Sequence, residues 1–359
     1  MGAFAARLRK RWVDVTGLVV GAAVIAVVFF LVLPGIADYG DVWAAARDVS
    51  WPWIVLMLAA AAINVLTFGP PLVAALPGIS YRSALANSLA STASTYIAPG
   101  GAALGMGVSA AMLRAWRFPA RSITLAVTLT GLWNQFFTFG APVIAFALLT
   151  YAGGHHAALQ TLALIGLLVF LGGVGLFALV LSSPIQARWV GDVSARAWSA
   201  VLRRFRRGPA AWSGASWVRF RSSTLGLLRK RWHWLTLATI AGHMTVYITF
   251  IVTIRALGIS NGEVTYIESF AAWTIARVIG SLPVTPGGFG LVEVGVTGAL
   301  VAFGAPNSEA VAAVLVYRFL TVGPPLILGV IAGAMWRRLN PNWRDETVLI
   351  APVDDSASA

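Results

Sequence analysis

Cysteine is absent from the 359 residues, which excludes disulfides, thiolate metal sites and thiol nucleophiles. Charge is scarce as well. Asp, Glu, Lys and Arg make up 11% of the chain, and of its 26 basic residues only Lys10 and Lys230 are lysines. No phosphate-cradling loop with the Gly-Lys-Ser/Thr ending occurs, so no nucleotide is implied, and no other cofactor or metal set suggests itself. What the chain does have is apolar surface: 58% hydrophobic residues and a mean hydropathy of +0.79. So much apolar surface must face lipid or other helices, and the expected fold class is an all-α polytopic membrane protein.

Six stretches are long enough to cross a hydrocarbon core of ~30 Å, for which about 20 helical residues suffice. They lie near 14–34, 51–75, 121–150, 158–182, 233–257 and 310–335. The first follows Arg7, Arg9, Lys10 and Arg11, but it exceeds a signal-peptide core and no small-residue cleavage site follows, so it reads as an uncleaved span.

Lys- and Arg-rich segments stay cytoplasmic. Basic residues cluster at the N-terminus (1–13), between about 183 and 232, and at Arg337, Arg338 and Arg344. The intervening segments carry Asp38, Asp41 and Asp48, then His155 and His156, then Glu263 and Glu309. Both termini are therefore expected in the cytoplasm, in a bacterial plasma membrane. The end of the chain, 341–359, reads as a disordered tail.

Two Pro-Gly-Gly triplets, Pro99-Gly100-Gly101 and Pro286-Gly287-Gly288, interrupt apolar sequence, and each is followed by a further proline, Pro119 and Pro306. One offset relates both pairs, which suggests an internal repeat. Proline removes a backbone donor and glycine loosens the chain, so each triplet should break a helix in mid-course. Broken backbone at membrane depth survives only where protein or a wet cavity covers it, which makes the breaks pointers to a binding site. Residues 84–115 have basic ends and arms too short for a full crossing, so they should form a re-entrant hairpin from the inside. Residues 264–304 form either the matching hairpin from the outside or two full spans. Span, hairpin and span over 51–150 would then recur inverted over 233–335, inside a transmembrane domain of residues 14–340.

Arg277, Glu293 and Arg318 lie deep in apolar sequence of the second half. An unpaired charge at a helix centre costs about 2.5–3.5 kcal/mol on the insertion scale, so the three should pair or line a wet cavity. Helical rise puts them at similar depth, and one carboxylate with two guanidiniums leaves a net positive site suited to a phosphate oxygen pair. The alternative is a satisfied ion-pair network that only holds helices together. Asn134 and Gln135 could line the facing wall or act as interhelical hydrogen-bond partners. His243 reads as a packing residue.

Between the fourth and fifth spans, Trp198, Val201, Leu202 and Phe205 alternate with arginines at helical spacing, the pattern of a basic amphipathic helix on anionic headgroups. With its charge so explained and no recognition motif present, no nucleic-acid partner is expected.

The run Pro283-Val-Thr285-Pro286-Gly287-Gly288-Phe289-Gly290, with Arg277 before it and Glu293, Tyr317-Arg318 and two prolines after it, resembles the lysylphosphatidylglycerol synthase transmembrane-region family, the flippase-like module of the multiple peptide resistance factor. Ala98-Pro99-Gly100-Gly101 is similar to that family's first-repeat element, and Phe289 stands where Leu is expected. In members with a soluble synthase domain, that domain makes the aminoacylated lipid and the membrane module is associated with moving it. Residues 336–359 leave no room for such a domain here, so no enzyme activity is expected.

The resemblance and the residues together imply translocation of a phospholipid or lipid-linked anion, its headgroup held by Arg277, Glu293, Arg318, Tyr317 and Asn134 beside the two breaks. Phospholipids and anionic headgroups are the expected partners, with a separate lipid-modifying enzyme as a further one. The rival readings are a secondary transporter of a small anionic solute and a non-transporting scaffold for a lipid synthase.

Overall fold

The computed structural model describes residues 38–96, 101–152, 157–204, 208–210, 212–282 and 284–336. The expected first span, the basic N-terminus and the tail lie outside the described residues, as do Pro99 and Gly100.

A short helix α1 (Tyr39–Arg47) comes first, with the Asp38 side chain accepting from the Gly40 amide. The apolar stretch near 51–75 is broken into α2 (Trp51–Leu66) and α3 (Pro70–Ala75). Pro70 and Pro71 start α3, since proline suits a first helical turn but cannot continue the one before it. The Tyr81 hydroxyl satisfies the Leu66 carbonyl freed at the break.

Then follow α4 (Tyr81–Thr95), α5 (Gly101–Ala115), α6 (Ala120–Tyr151) and α7 (Ala157–Ser182). The basic segment is helical: α8 (Pro184–Arg204) packs on the first turns of α9 (Gly214–Ala256), and α9 runs on without a break into the apolar stretch expected from 233. Gly191 faces Trp217 and Gly214 at the crossing, where a Cβ would meet the indole at 2.7 Å. The second half closes with α10 (Tyr266–Ser281), a 3₁₀ turn (Pro286–Gly288), α11 (Leu291–Phe303) and α12 (Asn307–Met335).

Six described segments are long and apolar enough to cross a membrane: Trp51–Ala75, Ala120–Tyr151, Leu164–Ser182, Gly214–Ala256, Pro286–Phe303 and Asn307–Met335. The chain is thus an all-helical, multi-pass membrane protein, with no strand among the described residues. Five of the six are expected spans. The other, Pro286–Phe303, belongs to the stretch left open between a hairpin and two spans. The arms α4, α5, α10 and α11 hold 15, 15, 16 and 13 residues, about 20 to 24 Å each at ~1.5 Å per residue.

Large apolar side chains such as Leu58, Ile63, Leu168 and Val330 point outward, as expected of lipid-facing surface. Trp51, Tyr151 and Tyr266 are exposed near helix ends, as in interfacial aromatic belts.

The two halves grasp each other. In the first, α4 packs on its neighbour α5 and on the distant α12; in the second, α10 packs on α11 and on the distant α6. Helices α2 and α9 lie against each other. Asn64 donates to the Thr245 hydroxyl at 3.1 Å across that contact. Where α12 crosses α4, a Cβ on Gly329 would fall 2.2 Å from the Leu89 carbonyl, so only glycine permits this backbone approach. One buried apolar cluster gathers α9–α12 residues around Trp273, Phe250 and Tyr317, and another gathers α3–α6 residues around Leu76, Leu113 and Leu129.

Candidate functional site

A cavity of about 500 Å³ opens where these clusters meet, with Leu72 of one and Tyr317 of the other both on its wall. That volume falls within the range of small-molecule sites, ~300–1,000 Å³. Helix α4 contributes Ser88, Ser91, Thr92 and Thr95, which share one face at helical spacing. From α6 come Thr130, Gly131 and Asn134, and from α12 Tyr317, Arg318 and Thr321. Arg277 of α10 and His243 of α9 complete the polar wall, the imidazole stacked on Phe137 at 4.0 Å between centroids.

Arg277 and Arg318, the two expected cations, reach the same cavity in different states. Arg318 is anchored: its Nε donates to Glu293 Oε1 at 2.7 Å, its Nη2 donates to the Gly287 carbonyl at 2.9 Å, and its guanidinium lies over the Phe289 ring at 5.0 Å. Glu293, 1% exposed, stands behind Arg318 rather than on the cavity wall. Its Oε2 accepts from the Gly290 amide at 2.7 Å, a free donor at the start of α11. Both carboxylate oxygens are therefore engaged. Arg277 has no such anchor. Its guanidinium lies 5.9 Å from the Trp273 ring, its buried Nε has no hydrogen-bond partner, and neither ion pair among the described residues includes it.

The 3₁₀ turn explains the glycines. Gly287 and Gly288 adopt φ of 59° and 72°, which L side chains rarely hold. A Cβ on Gly287 would also lie 2.0 Å from Tyr96 Cδ1, and Tyr96 packs on Phe289 with ring centroids 5.9 Å apart. The end of the first hairpin arm thus meets the break of the second half directly. Pro286 is buried and starts the turn.

Of the expected site residues, Arg277, Arg318, Tyr317 and Asn134 line the cavity, while Glu293 and Gly287 hold Arg318 in place. Pro286 and Gly288 shape the turn without reaching the cavity. Gly101 is buried where a Cβ would collide with the Thr95 carbonyl, and it packs the hairpin. Pro99 and Gly100 lie outside the described residues. The hydroxyl face of α4 was not foreseen, although its signal was present: Ser88, Ser91, Thr92 and Thr95 recur at helical spacing among the alanines and leucines of one helix.

The model of the family described as lysylphosphatidylglycerol synthase TM region matches residues 18–329. Comparison with curated proteins gives no match.

Proposed function

The chain belongs to the lysylphosphatidylglycerol synthase transmembrane-region family, and from that premise we propose that it translocates a phospholipid or lipid-linked anion between leaflets, with the cavity as its headgroup site. The observation that carries this reading is Arg277, a cation on a buried wall with no carboxylate beside it among the described residues. An uncompensated guanidinium in low dielectric is costly, and an anionic ligand repays that cost on binding.

The headgroup enters the cavity, its phosphate meets Arg277 and the free edge of Arg318, and Glu293 keeps Arg318 oriented. The acyl chains stay in the bilayer. Rocking of one half against the other across the Tyr96–Phe289 contact exposes the site to alternate leaflets, as inverted-repeat transporters do. The repeat finds support in the offset of 187 residues between Ala120 and Asn307, the first residues of α6 and α12. At that same offset Thr130, Gly131 and Asn134 correspond to Tyr317, Arg318 and Thr321, and all six line the cavity. The re-entrant form of both hairpins, the cytoplasmic termini and a bacterial plasma membrane belong to this reading. It assigns no catalysis. A separate lipid-modifying enzyme would supply or consume the lipid.

The test is leaflet exchange of labelled anionic phospholipids in proteoliposomes, with Arg277→Ala for comparison. Exchange that falls at least tenfold in Arg277→Ala supports the reading. Equal exchange in both proteins removes Arg277 from the site. No exchange of any anionic lipid, together with uptake of a small anion, transfers the site to solute transport.

A further inference from the structure

The cavity wall is rich in hydroxyl groups and poor in charge. Eleven hydroxyl side chains and three carboxamides line it, beside two guanidiniums and one imidazole, and no carboxylate is among its described lining residues. We propose that the site selects a monoanionic phosphodiester whose remaining headgroup is an uncharged polyol, glycerol-like or sugar-like, and rejects headgroups bearing an ammonium. The lipid source of that headgroup rests on the translocation reading above; the chemistry of the site does not.

Charge balance sets the first half of this selectivity. Glu293 neutralises Arg318 at 2.7 Å, which leaves Arg277 as the guanidinium on the described cavity wall without a carboxylate partner. A phosphodiester brings one negative charge and closes the balance. An ammonium on the same headgroup would face two guanidiniums and find no carboxylate on the described cavity wall, because Glu293 is buried behind Arg318. Like charges brought together in a low-dielectric site disfavour binding strongly.

Hydrogen bonding sets the second half. Ser88 and Thr92, one turn apart on α4, face the cavity, and their hydroxyls have no partner among the described residues. Ser91 and Thr130 already donate to backbone carbonyls, Gly105 and Ala126, and so present lone pairs to the cavity. Asn134 donates to Gln135 and keeps its carbonyl oxygen free. The wall therefore offers both donors and acceptors. Polyol hydroxyls both donate and accept, whereas a methyl ester would leave these groups unpaired. Sites built to bond a hydroxyl discriminate strongly against analogues that lack it.

Binding of short-chain lipids to the detergent-solubilised full chain, measured by titration calorimetry, tests the proposal without relying on transport. The probes are phosphatidylglycerol, phosphatidylmethanol with the same charge and no hydroxyls, lysylphosphatidylglycerol, whose lysyl ester adds two amino groups, and glycerophosphoglycerol without acyl chains. Phosphatidylglycerol should bind about tenfold or more tighter than phosphatidylmethanol and lysylphosphatidylglycerol. The pair of substitutions Ser88→Ala and Thr92→Val should lower the affinity for phosphatidylglycerol and erase its preference over phosphatidylmethanol. Phosphatidylmethanol or lysylphosphatidylglycerol bound as tightly as phosphatidylglycerol would overturn the proposal. Glycerophosphoglycerol bound as tightly as the lipid would uphold the site chemistry and assign it to a soluble ligand. Selective lipid binding without leaflet exchange would uphold it and remove translocation.

Discussion

Arg318 of α12 and Glu293 of α11 are joined through a 2.7 Å contact between Nε and Oε1, and the same carboxylate caps the Gly290 amide through its other oxygen. One buried acid thus orients a cavity cation and finishes a helix start. Arg277 contributes a second cation with no such support, and this difference separates the expected behaviour of the two arginines.

Replacing Glu293 with Gln keeps an acceptor for Gly290 but leaves Arg318 without a counter-charge. Breaking a buried pair on one side is expected to destabilise by about 3 kcal/mol. The double variant Glu293→Gln with Arg318→Met should recover most of that loss and remain inactive. Thermal unfolding in detergent checks both; a single variant as stable as the parent would mean the pair contributes nothing.

Arg277→Met should act in the opposite sense. It removes a buried cation whose Nε has no partner, and unsatisfied buried donors cost about 1–3 kcal/mol each. The variant should unfold at the same temperature as the parent or higher, and it should lose anion binding by calorimetry. A clear drop in stability would make Arg277 a structural residue.

Gly287→Ala combines two penalties. The backbone there is left-handed, worth about 1–2 kcal/mol to an L side chain, and the new methyl would strike Tyr96. Adding Tyr96→Ala should relieve the collision and leave only the backbone cost. Denaturant midpoints of the single and double variants separate the two; no improvement on removing the ring would refute the contact.

Gly329→Ala should force α12 away from α4, because its Cβ would meet the Leu89 carbonyl and the Ala93 methyl. Overpacking of this kind costs about 1–3 kcal/mol. A disulfide introduced between the two helices should form less readily in the variant, and an unchanged cross-linking rate would count against the close approach.

Much of this was legible from residue types. The apolar runs at 121–150 and 310–335 became α6 and α12 almost as bounded, because no break signal interrupts them apart from prolines that long membrane helices tolerate. The rarity of charge made Arg277, Glu293 and Arg318 conspicuous. Their pairing was not legible, since Arg277 and Arg318 lie at comparable depth and only the turn at Gly287–Gly290 decides which one meets the carboxylate. The break after Leu66 had a signal in Gly69-Pro70-Pro71, but the residues on both sides stay apolar, so the stretch read as one span. The α4 hydroxyls were hidden for a different reason: serine and threonine satisfy themselves on their own helix in many membrane proteins, and only the cavity reveals which ones face inward.

The crossed packing of α4 on α12 and of α10 on α6 bears on how the chain acquires its shape. Neither half completes its packing alone, because each keeps one of its hairpin helices against a helix that the other half supplies. During synthesis, the face of α4 around Leu89 and Ala93 must wait for Gly329, more than 200 residues downstream. Contacts so distant along the chain close late. The seam on α4 is closed by α12, and the polar cavity has its full wall only when both helices are in place.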